Sequence, residues 1–121
     1  QSNFGVFRTK DLMEKGIEDL SKVRDEVENM HLKDKSATFN TARIEALEMQ
    51  NLFEVAEATA VTANSRKESR GAHSRDDYPD RDDENWLKHS IYFSENKEVS
   101  KRDVNYRPKT VQAFQPMVRS Y

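Results

Sequence analysis

The run from Arg66 to His89, RKESRGAHSRDDYPDRDDENWLKH, divides this chain and limits what it can fold into. Almost every residue in it is charged, hydrogen-bonding or turn-forming, so it can add little to an apolar core. It nevertheless holds Gly71, His73, Tyr78, Pro79 and the only Trp, Trp86, residues that give a segment a fixed shape. That combination points to a surface moulded against a partner rather than to a disordered tail. The core must therefore come from the flanking segments, and it is thin. Of 121 residues, 35% are hydrophobic and 35% charged, against roughly 25% charged in an average globular protein. A chain of this length makes one domain at most.

The charge balance removes several classes of function. Lys and Arg number 20 and Asp and Glu 22, a net charge of −2, so nothing draws the whole chain to nucleic acid or anionic lipid. Without Cys no disulfide can form, which fits a reducing compartment. No apolar run is long enough to insert into a bilayer, and the fragment is expected to be soluble. The opening Gln1-Ser2-Asn3-Phe4 has neither an initiator Met nor a signal-peptide pattern, so the chain reads as a piece of something larger.

The first segment predicts a helix over about 9–30. Thr9 is a candidate N-cap, with Asp11 and Glu14 in the first turns. Met13, Gly16, Leu20, Val23, Val27 and Met30 recur at spacings of three and four, with Ile17 alongside. Asp11 with Lys15 and Glu18 with Lys22 are expected to pair across one turn. His31 to Asn40 reads as a loop, with Asn40 or Thr41 capping the next helix.

That second helix is predicted over about 41–70, ended by Gly71 and with a possible break near Asn51. Ala46, Met49, Phe53, Ala56, Ala60 and Ala63 form a seam toward the first helix. Ile44, Leu47, Val55, Ala58 and Val61 lie on other faces, leaving a polar strip mainly at Arg43, Gln50, Glu57 and Asn64. A helix apolar on several sides must be covered on several sides. A third element, another polypeptide or self-association of the chain has to supply that cover.

Beyond Gly71 the pattern changes. Tyr78-Pro79-Asp80 marks a turn, and Asp82 or Asp83 can cap one helical turn through Trp86. Leu87, His89, Ile91 and Phe93 alternate as the apolar face of a strand, Ser94 to Lys97 turns, and Val99 to Tyr106 returns. The tail, with Pro108, Phe114, Pro116 and Tyr121 as anchors, is expected to lie extended. The fold class is thus mainly α: an antiparallel helical bundle in residues 1–70, then a loop, small β-hairpin and tail in 71–121.

Catalytic patterns are weak. Gly5, Gly16 and Gly71 are the only glycines, so no phosphate-cradling loop can be written. His31, His73 and His89 are widely separated and lack Cys neighbours, so no metal site is expected. Ser69 and Ser74 flank His73, but a hydrolase built on them is disfavoured against a structural histidine. The mixed charges from Arg66 to Glu84 read either as a solvated face or as an interface where Arg forks set registry. The carboxylates among them argue against a nucleic-acid patch.

The segment SRKESRGAHSRDDYPDRDDENWLKHS at Ser65 to Ser90 closely resembles the C-terminal region of succinate dehydrogenase flavoprotein subunits. FGVFRT at Phe4 to Thr9, FNTARIEALEMQNL at Phe39 to Leu52, ATAVTAN at Ala58 to Asn64 and the ending Ala113 to Tyr121 are similar to the same family. The shorter ESRG followed by His73 is shared with fumarate reductase flavoproteins and L-aspartate oxidases. The resemblance implies a C-terminal helical domain packed against a flavin-binding domain of the same polypeptide. It further implies a parent subunit that binds FAD, oxidises succinate to fumarate and passes electrons to an iron-sulfur subunit. The parent complex would sit peripherally on the bacterial inner membrane, cytoplasmic side, or on the matrix side of the mitochondrial one. No catalytic, cofactor or metal residue carries over, so the isolated chain is expected to be inactive. Arg66, Glu68, Arg70, His73 and Arg75 are the candidate docking residues, with Glu68 and His73 fixing the loop and the arginines reaching the flavin domain. A free-standing helical interaction module is the competing reading.

Overall fold

A computed structural model describes residues 2–117. The expected anchor Tyr121 and the last part of the Ala113 to Tyr121 match lie outside them. In chain order the elements are β1 (Phe7–Arg8), α1 (Lys10–Glu28), α2 (Thr41–Ser65), β2 (Ser74–Arg75), α3 (Asp83–Trp86), β3 (Lys88–Phe93) and β4 (Glu98–Asp103). The fold is mainly α, with a two-stranded antiparallel sheet of β3 and β4 and a two-residue parallel pairing of β1 with β2. That parallel pair has no periodic signature, because two residues cannot carry one.

Both long helices begin where side-chain oxygens can take their free N–H groups. Thr9 Oγ1 accepts from Leu12 N at 3.4 Å and Asn40 Oδ1 from Arg43 N at 2.8 Å. On α1 the anticipated four-residue ion pairs do not form; Lys10 pairs with Glu14 and Lys22 with Asp19 instead. Met13 is fully buried and Gly16 buried, whereas Val23 is 45% exposed. The stripe is thus sealed at its first turns and opens later. Gly16 is required there by close approach: a Cβ would stand 2.4 Å from the Phe4 ring and 2.8 Å from Asn3 Cβ.

Three expectations for α2 and the hairpin need correction. First, α2 is unbroken at Asn51 and ends at Ser65, with Arg66 already extended. The side chains beyond it form a cluster that pulls the backbone out of the helix, described below. Gly71, at φ +61°, instead serves as the first central residue of a two-residue turn in which Arg70 and His73 exchange backbone hydrogen bonds. Second, Glu57 is buried rather than part of a solvated strip. It accepts from Arg24 and from Tyr92 Oη at 3.0 Å and pairs with Lys97 at 3.3 Å, joining α1, α2 and the hairpin. A carboxylate with three donors loses little by leaving water. Third, β3 presents the opposite face to α2. Tyr92 reaches Glu57, while His89 is exposed and Phe93 is 49% exposed. The Tyr92 hydroxyl ties that face to α2 through its bond to Glu57.

Asp82 caps α3 by accepting from Asn85 N at 2.9 Å, as its position before Trp86 implies. Residues 104–117 contain no helix or strand. Among the described residues no helix is long and apolar enough to cross a membrane.

Candidate functional site

The five residues singled out in the sequence come together at the C-terminal end of α2. A helix end leaves carbonyls without intrahelical donors, and here Arg75 provides them. Its Nη1 donates to the carbonyls of Asn64 and Arg66, both at 3.0 Å. The same guanidinium makes a bidentate pair with Asp77, Nε to Oδ1 at 2.8 Å and Nη2 to Oδ2 at 2.5 Å, and lies 4.8 Å from the centroid of the Tyr78 ring. Arg75 is 2% exposed, so this cation is held inside the fold and at the favourable end of the helix dipole. Asp77 Oδ2 also accepts from Lys10 N at 3.2 Å, so one Arg–Asp pair ties the end of α2 to the start of α1.

Glu68 is fully buried and forms the second centre. It accepts from Arg66, from Arg70 Nε at 2.9 Å and Nη2 at 3.0 Å, and from Asp82 N at 2.9 Å. Burial pushes its carboxyl pKa up, but the bonds from Arg70, the Asp82 amide and Arg66 together outweigh this and lower it below the ordinary value. Arg70 reaches on to Asp83 at 2.6 Å, and its bond to Glu68 holds its own proton more tightly than usual. Arg66 also donates to the carbonyls of Trp86 at 2.9 Å and Lys88 at 2.5 Å. Trp86 has the Arg66 guanidinium 5.3 Å and Lys101 Nζ 3.4 Å from its ring centroid.

His73 closes the arrangement toward the N-terminal strand. Arg8 Nη1 donates to its Nδ1 at 2.9 Å, which assigns the ring proton to Nε2, aimed at the Arg66 carbonyl at 3.4 Å. Burial lowers its pKa; the bond to the Arg66 carbonyl opposes this, and the nearby Arg8, Arg75 and Arg66 charges add to the lowering, so the net shift is downward. Ser69 Oγ donates to the Tyr78 carbonyl at 2.8 Å and accepts from Arg75 N at 2.8 Å. With both bonding partners elsewhere, Ser69 and His73 do not make a nucleophile and base pair.

The arrangement is a clasp of interlocked ion pairs, and its guanidinium groups are engaged by acceptors of this same chain. Three members, Arg8, Asp77 and Asp83, escape a reading of the sequence centred on Arg66 to Arg75. The available signal for Asp77 is its place two residues after an arginine; Arg8 carries none. Among the described residues, no three His, Asp or Glu side chains stand close enough to hold a metal ion.

The chain belongs to the succinate dehydrogenase and fumarate reductase flavoprotein family: the family described as fumarate reductase flavoprotein C-term matches residues 1–121. The succinate dehydrogenase flavoprotein subunit of Coxiella burnetii is 52% identical over 117 residues, covering 97% of this chain and 20% of that subunit. The fumarate reductase flavoprotein subunit of Haemophilus influenzae is 35% identical, covering 97% of this chain and 19% of its own length. A solved E. coli quinol fumarate reductase FrdA superposes with a TM-score of 0.77 at 33% identity, over 92% of this chain and 20% of that one. This chain therefore spans about a fifth of the length of the relatives it matches.

Proposed function

We propose that residues 1–121 act as one docking domain of a succinate dehydrogenase flavoprotein subunit, whose catalytic groups lie in polypeptide beyond this chain. The observation that carries this reading is the outer face of α2. Ile44, Leu47, Leu52 and Val55 are 57%, 52%, 70% and 66% exposed, and at 3.6 residues per turn the four fall within an arc of about 140°, on one side of the helix. In the assembled subunit this face packs on the flavin-binding domain and completes an antiparallel helical bundle with α1. Arg66, Glu68, Arg70, His73 and Arg75 hold the adjoining loop in shape, and its outer edge at Lys67, Gly71 and Ala72 shares the contact.

The parent subunit oxidises succinate to fumarate with FAD and passes electrons to an iron-sulfur subunit, peripheral to the bacterial inner membrane or its mitochondrial counterpart. The higher identity to the Coxiella succinate dehydrogenase than to the Haemophilus fumarate reductase favours that direction. FAD belongs to the other part of the subunit, since Gly5, Gly16 and Gly71 are too dispersed to make a glycine-rich pyrophosphate loop. The test is Leu52→Glu in a full-length flavoprotein subunit containing this chain. A charge placed in the docked face should lower both thermal stability and flavin content; a subunit unchanged in both would sink the proposal.

A further inference from the structure

Phe39 stands immediately ahead of α2 and is 96% exposed, with its backbone at φ +54°. For a bulky residue the left-handed region is costly, and such a conformation persists only where the surroundings enforce it. They do so here through Asn40, which is 7% exposed. Its Nδ2 donates to the carbonyls of Asp34 at 3.1 Å and Ser36 at 3.0 Å while its Oδ1 caps α2. Ser36 N in turn donates to Asp34 Oδ1 at 2.8 Å, and Thr41 N to the Phe39 carbonyl at 3.1 Å. The loop is thus folded around Asn40, and none of these bonds uses the Phe39 ring. Glycine would meet the same backbone demand without strain.

We propose that Phe39 is the aromatic anchor of the docked domain, seated in an apolar pocket of the subunit's remaining polypeptide. The inference rests on the docking reading and adds the residue on which that contact turns. Two observations select the occupant. This chain spans only 20% of its Coxiella relative, so most of the subunit is available to form the pocket. Phe39 also lies five residues before Ile44, where the exposed face begins, so anchor and face are close along the chain. Interfaces draw most of their affinity from a few buried aromatic side chains, and a loop rigid before contact loses little freedom on binding.

The test compares Phe39→Gly, Phe39→Tyr and Leu52→Glu in a full-length flavoprotein subunit containing this chain, by hydrogen exchange across residues 34–43 and by thermal midpoint. Phe39→Gly should speed exchange by about tenfold or more and lower the midpoint, although glycine relieves the strain, and Phe39→Tyr should restore most of both. In the 121-residue chain alone, Phe39→Gly should leave the midpoint level or raise it. Unchanged exchange in the full-length Phe39→Gly subunit, or an equal loss in the chain alone, would overturn the anchor. If Leu52→Glu loosens the subunit while Phe39→Gly does not, docking stands and the anchor falls; if neither does, both fall.

Discussion

A carboxylate sealed from water, as Glu68 is, remains ionised only while its donors stay in place. Glu68→Gln keeps the shape but removes the charge facing Arg66 and Arg70. Breaking a buried pair in this way costs about 3 to 5 kcal/mol, and denaturant unfolding of the chain should show it as a lower midpoint. Acid acts on the same clasp in two steps. The folded pKa of His73 lies below its ordinary 6.5, so the folded chain binds that proton less readily than the unfolded chain. Its contribution is complete above 6.5 and is lost as pH falls from there toward the lowered folded value. Glu68 and Asp77, the latter lowered chiefly by its bond from Arg75, contribute fully above their ordinary 4.5 and 3.8 and lose this further into acid. His73→Gln can accept from Arg8 and donate to the Arg66 carbonyl without titrating. It should flatten stability between about pH 7 and 5 while keeping the more acid loss; an unchanged slope in that range would rule out His73 as its source.

At the scale of elements, Gly16 and Glu57 set how α1 and α2 meet the rest. Alanine normally stabilises a helix interior by roughly 1 kcal/mol over glycine. At position 16 the contacts with Phe4 and Asn3 should reverse that sign, an overpacking loss of about 1 to 3 kcal/mol. Gly16→Ala should therefore lower the thermal midpoint and release the amides of residues 2–8 to faster exchange, with helix content retained. Tyr92→Phe, which leaves Glu57 one donor short, should cost about 1 kcal/mol in denaturant unfolding. These two sites also mark the limit of what periodicity can reveal. Thr9, Asn40 and Asp82 were legible as caps because capping depends on residues a few positions away. The early α1 stripe, the single turn of α3 and the β3–β4 hairpin were legible for the same reason. Glu57 was not, because its placement depends on Arg24 arriving from α1 and on Tyr92 and Lys97 from the hairpin. The early end of α2 was likewise hidden, since Arg75 supplies its donors from beyond the turn at Gly71. Within the clasp the sequence marked five members through their density, but not that the guanidinium groups are engaged by acceptors of the same chain.

The whole molecule has a well-fastened interior and one exposed apolar face along α2. Among the described residues Met13, Ala60 and Trp86 are the buried hydrophobic ones, while Ile44, Leu47, Leu52 and Val55 face outward. A chain carrying such a face uncovered should associate with itself as concentration rises. Light scattering should give a concentration-dependent mass for the chain and a mass close to the monomer for Leu52→Glu; equal behaviour would assign association to another surface. Trp86, buried between Arg66 and Lys101, has a different consequence. It is the chain's only indole, so emission excited where Tyr does not absorb comes from the clasp alone, and opening the clasp to solvent should alter it without any added dye.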